Sequence, residues 1–81
     1  MRLDKYLKVS RIIKRRTVAN EACDAGRVSV NGKPVRASYE VKTGDILELE
    51  LGSRKVKAQV TEVNEYATKE NAAQMYKILE D

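Results

Sequence analysis

The 81-residue chain has no histidine and a single cysteine, Cys23. A disulfide within the chain is therefore excluded, as is a zinc site of the usual Cys/His kind and any catalytic scheme that needs an imidazole base. Cys23 lies between Ala22 and Asp24-Ala25 and reads as a small core residue. Tryptophan and phenylalanine are missing too, so Tyr6, Tyr39, Tyr66 and Tyr76 carry all the aromatic surface. No apolar run is long enough to span a bilayer. The first residues, Met1-Arg2-Leu3-Asp4-Lys5, lack the apolar stretch of a signal peptide, and a cytoplasmic location is expected. Neither a metal nor a cofactor is expected.

Positive charge is plentiful and unevenly placed. Residues 1–36 hold ten Lys/Arg against three acids, a net of +7, whereas residues 37–81 hold six against nine, a net of −3. A concentrated positive field on a small domain attracts polyanions and makes binding salt-dependent. Charge alone also fits a merely solvated basic face. The length suits one domain with a small core and leaves little room for an enclosed active site.

Local patterns divide the chain. Over 2–8, Leu3, Tyr6 and Leu7 recur at helical spacing, with Arg2, Lys5 and Lys8 on another side. Ile12 and Ile13 read as core anchors. Lys14-Arg15-Arg16 forms a basic knot before Thr17, a candidate N-cap for a second helix over 18–25. Val18, Ala22 and Ala25 are its expected buried stripe, and Gly26 its stop. Residues 27–30 alternate as a strand, Asn31-Gly32 is a hairpin turn, and Pro34 confines the returning strand to an edge. An irregular connection (36–43) and a turn at Lys42-Thr43-Gly44-Asp45 lead to strands over 46–51 and 55–63. Val63 breaks the alternation of the second. Thr68 reads as the cap of a final helix over 69–79 with Ala72, Met75, Tyr76 and Leu79 as its apolar stripe.

Three basic groups fall in sequence: the 2–8 helix, the knot before the second helix, and the hairpin carrying Arg27 and Lys33. Helices packed against that hairpin would place them on one surface, where guanidinium forks and helix-terminal amides suit phosphate. Asp4, Asn20 and Asn31 would add polar contacts. The order Arg2-Leu3-Asp4-Lys5-Tyr6-Leu7, Ser10-Arg11, Arg15-Arg16-Thr17-Val18-Ala19, then Ala25-Gly26-Arg27-Val28-Ser29-Val30-Asn31-Gly32-Lys33 resembles the S4, or alpha-L, RNA-binding motif. The likeness runs through Lys42-Thr43-Gly44-Asp45, and the motif fills nearly the whole chain. That points to the stand-alone members: the fifteen-kilodalton heat-shock protein group and, more closely, the RqcP group of ribosome-associated quality control.

The resemblance implies an α+β fold, with two N-terminal helices packed on a small antiparallel sheet and a C-terminal helix. It implies one domain over 1–81, with a core motif over about 2–64. It further implies a non-enzymatic factor that binds large ribosomal subunits carrying an obstructing peptidyl-tRNA. Its partners would be large-subunit RNA, that tRNA and RqcH, whose alanine tailing it would support, with no membrane involved. Carried over by motif, Arg2, Lys5, Arg11, Arg15, Arg16, Thr17 and Asn20 form the helical RNA surface, flanked by Lys8 and Lys14; Arg27, Asn31 and Lys33 form the hairpin edge. Two other readings stand beside it: a detached accessory domain of an RNA-modifying system, and a protein-interaction module using Glu48 and Glu50 or the 69–79 helix. A monomer is the expected state.

Overall fold

A computed structural model describes residues 1–79. The elements run α1 (Leu3–Val9), α2 (Arg16–Asp24), β1 (Val28–Val30), β2 (Lys33–Pro34), β3 (Ile46–Leu51), β4 (Arg54–Val60), α3 (Lys69–Ala72) and β5 (Tyr76–Ile78). The five strands make one antiparallel sheet in the order β2-β1-β3-β4-β5. Alternation sets its inner face: Val28 opposes Leu49, which opposes Val56, and Val30 opposes Leu47, which opposes Ala58. Leu3, Tyr6 and Leu7 of α1 and Ala19, Ala22 and Cys23 of α2 close the same core. The expected α+β class and the expected pair of N-terminal helices are both present.

The Asn31-Gly32 hairpin forms as expected. Both residues have positive φ (52° and 85°), the geometry of a type I′ turn, and Val30 pairs with Lys33 across it. The connection 36–43 has more structure than its irregular sequence suggests. Leu3 N–H donates to the Tyr39 carbonyl (2.8 Å) and Asp4 N–H to the Ala37 carbonyl (3.2 Å). The connection thus satisfies the first amides of α1, which lacks a side-chain cap. Asp24 in turn accepts from Ala37 N–H (3.1 Å).

Three local expectations are corrected. Thr17 is not a cap: α2 begins at Arg16, and the cap position is Arg15, extended and without a side-chain bond. Val18 is 45% exposed and Ala25 is exposed; the buried stripe is Ala19, Ala22 and Cys23. Asp4 of α1 holds Asn20, and Arg16 one turn before it, on the α1 side. At about 100° per residue, Val18 and Ala25 then face away. The third correction is the helix over 69–79. Thr68 does cap a helix, its hydroxyl accepting from Asn71 N–H, but α3 ends at Ala72. Residues 76–78 form β5 on the free edge of β4, pairing Tyr76 with Val60 and Ile78 with Ala58. An open strand edge and the β preference of Tyr and Ile outweigh a weak helical stripe.

Candidate nucleic-acid interface

Asp4 is the organising residue. It sits in the first turn of α1 with its side chain only 3% exposed. Its Oδ1 accepts from Lys5 N–H (2.8 Å), Arg2 Nε (3.2 Å) and Arg16 Nη2 (3.5 Å). Its Oδ2 accepts from Asn20 Nδ2 (3.1 Å) and Arg2 Nη2 (3.4 Å). Burial by itself would raise the carboxyl's pKa. Donation from Asn20, Arg2 and the Lys5 amide, with the charge of Arg16, outweighs it and leaves Asp4 below the ordinary aspartate value. Asp4 is therefore an anion at neutral pH and ties two helices and the N-terminal residues to one point.

The two arginines spend only part of their forks on Asp4. Arg2 and Arg16 side chains remain 51% and 49% exposed. Each guanidinium carries five N–H donors in a fixed plane, so donors are left facing solvent. Both are held by a buried anchor, which lowers the entropy lost when they grip a second anion. Asp4, Arg16, Thr17, Asn20 and Glu21 line a shallow depression over this point. The knot Lys14-Arg15-Arg16 runs straight into the uncapped N-terminus of α2, whose first amides lack side-chain partners. Cations and uncapped amides converge there, an arrangement that favours anions.

The remaining expected residues divide. Lys8, Lys14 and Arg15 are exposed and, like Arg11, make no ion pair among the described residues. Lys5 is paired with Glu65 (3.7 Å) across the surface. Asn31 has both ends of its amide engaged within the fold: Nδ2 donates to Asp45 (3.1 Å) and Oδ1 accepts from Ile46 N–H (3.0 Å). Lys33 is exposed at the hairpin. Arg27 does not join the Asp4 cluster. It lines a groove with Ser29, Glu48 and Glu50 on the sheet face turned away from the core. The acidic pair there is offset by lysines directly opposite, Lys57 beside Glu48 and Lys55 beside Glu50.

Asp45, whose role the sequence left obscure, holds the frame, and Cys23 packs in the core as expected. Asp45, buried, accepts from Asn31, from the Tyr39 hydroxyl (3.0 Å) and from Lys42 N–H (2.9 Å), joining hairpin, connection and sheet. The Lys42-to-Asp45 turn motif was its only signal. Cys23 is a buried thiol pushed up to about 11, first by burial and then by the charges of Asp4 and Asp24. It packs in the core and is no nucleophile. No group of His, Cys, Asp and Glu among the described residues suits a metal.

Exposed guanidinium groups fixed on a buried carboxylate, beside an uncapped basic helix start and backed by a small sheet, define a polyanion-docking module. Residues 1–47 match the S4 domain family. Over the full 81 residues the chain is 53% identical to the "RQC P-site tRNA stabilizing factor" of Bacillus subtilis, covering 94% of that protein. It is 49% identical to the protein of the same name from Streptococcus pneumoniae, covering 92% of it. Among solved structures, trimeric Vibrio cholerae Heat Shock Protein 15 superimposes with a TM-score of 0.90 at 26% identity, over 98% of this chain and 81% of that one. The chain belongs to the S4 domain family and, within it, to the group named RQC P-site tRNA stabilizing factor. An Aquifex aeolicus protein named as an RNA pseudouridine synthase also matches, but only over 25% of its length.

Proposed function

We propose that this protein is an RNA-binding factor of ribosome-associated quality control. It binds large ribosomal subunits that hold an obstructing peptidyl-tRNA, contacts ribosomal RNA and that tRNA, and supports RqcH-dependent alanine tailing. It acts in the cytoplasm, as a monomer and without catalysis. The names of its full-length relatives support the process. The monomer is supported by the sheet edges: β2 is two residues with Pro34, β5 is three, and such short edges resist pairing with another copy.

The observation that carries the reading is the Arg2–Asp4–Arg16 cluster with Asn20. RNA is gripped there by the free N–H groups of two prepositioned guanidiniums, with exposed Lys8, Lys14 and Arg15 adding charge around them. Arg16→Ala is expected to weaken cosedimentation with large subunits carrying peptidyl-tRNA by about tenfold, about 1.4 kcal/mol. The circular dichroism spectrum should stay that of the parent, since Arg16 is half exposed. Binding of the parent should fall steeply from low to moderate salt. Unchanged sedimentation of a folded Arg16→Ala protein would remove the cluster from the interface.

A further inference from the structure

A shallow apolar groove opens where the α1–α2 connection meets strands β3, β4 and β5. Half-buried Ile12, Leu51, Val56 and Tyr76 line it together with Ile78, an exposed large apolar side chain. Exposed Arg11 and Arg54 complete the lining, to which no acid among the described residues contributes. Neither arginine makes an ion pair among the described residues. None of these residues belongs to the Asp4 cluster.

Arg11 is unusual in its backbone. Its φ is 65°, in the left-handed region, directly after the C-cap Ser10 of α1. Glycine is the unstrained residue at that position. A long cationic side chain kept there, against the local preference, points to a task for the guanidinium. The chemistry of the lining says which. An apolar seat with one tyrosine ring, flanked by two guanidiniums, complements a flat apolar group that carries negative charge. An unpaired nucleotide has this make-up: its base packs on Tyr76, Val56 and Ile78, and its phosphates meet Arg11 and Arg54. A second copy of this chain, with its net charge of +4, is a poorer match for a rim of two arginines. Arg11 also belongs to the connection that leads through Lys14 and Arg15 to Arg16, so the groove continues the basic surface.

We infer that this groove seats one unpaired nucleotide of the RNA whose structured part lies on the Arg2–Arg16 face. The inference rests on the RNA-docking reading and has its own readout. Labelled hexa-adenylate, an abasic oligomer of the same length and a blunt RNA stem are titrated by fluorescence anisotropy against the full chain. Arg11→Gly, which also relieves the left-handed strain, and Arg54→Ala are expected to weaken hexa-adenylate binding about fivefold or more, and Arg54→Ala, outside the helical surface, to leave stem binding nearly unchanged. Arg16→Ala should show the opposite pattern. The abasic oligomer should bind the parent about fivefold or more weakly than hexa-adenylate. Equal binding of abasic and hexa-adenylate strands overturns the base seat, as does undiminished hexa-adenylate binding by the two groove variants. A dimer in sedimentation that Ile78→Lys dissociates gives the groove to a second copy and also overturns it. Failure of the stem to bind the parent, with hexa-adenylate still bound through the groove, counts against the Arg2–Arg16 face and supports the groove.

Discussion

Asp4 acts on stability and on charge at once. Its buried carboxylate takes five hydrogen bonds, three of them from two arginines. Charge-assisted bonds of this kind hold about 1.5–3 kcal/mol each when broken singly, although the arginines are half exposed and water recovers much of it. Asp4→Ala is therefore expected to cost about 2 kcal/mol, measured by chemical denaturation. The pH dependence follows from the lowered pKa. The unfolded chain protonates Asp4 near the ordinary 3.8, and the folded chain only at lower pH. Between those values the unfolded state binds more protons, so stability rises with pH. The Asp4 contribution is full above the ordinary value and is lost as pH falls through the folded one. Thermal unfolding of the parent and of Asp4→Asn should thus differ most near neutral pH and converge in acid. A constant difference down to the acid limit would contradict the role of the ionised carboxylate.

Elements are held at points the sequence does not advertise. The Tyr6 hydroxyl of α1 donates to the Met75 carbonyl (2.7 Å), deep in the core and 69 residues away. The same carbonyl accepts from Thr61 N–H (2.9 Å) and Glu62 N–H (3.2 Å). This junction fixes the turn from α3 into β5, and burial raises the Tyr6 hydroxyl well above its usual pKa. Tyr6→Phe leaves the carbonyl with its two amide donors, so the expected loss is about 1 kcal/mol in a urea midpoint. Amides of β5 should exchange faster in that variant; unaltered exchange there would detach Tyr6 from the C-terminal segment. The same junction explains why 69–79 does not form one continuous helix. Ala72 and Met75 are buried as a helical stripe requires, yet Tyr76 and Ile78 are spaced by two and fit a strand equally well. Only the free edge of β4, formed by distant pairing, decides between the two.

At the scale of the whole molecule, charge and turns were legible and side-chain pairing was not. Asn31-Gly32, Gly26 and the alternation of Leu47 and Leu49 are local signals, and the hairpin, the helix stop and β3 follow from them. The rotation of α2 is set instead by Asp4, twelve residues before Arg16 and sixteen before Asn20, a separation no periodicity reveals. For that reason the single basic surface expected of the first half is only partly present. Arg2 and Arg16 meet, whereas Arg27 stands on the other face of the sheet among Glu48 and Glu50. The +7 of residues 1–36 steers a polyanion towards the molecule, and the Asp4-anchored pair gives it a fixed grip. These two contributions separate in one variant. Asp4→Asn makes the chain more positive and would tighten RNA binding if field alone mattered; it also frees Arg2 and Arg16 from their anchor. The affinity of the folded Asp4→Asn protein for large ribosomal subunits bearing peptidyl-tRNA should be about fivefold lower than the parent's, by loss of preorganisation. Equal or tighter binding would contradict the account.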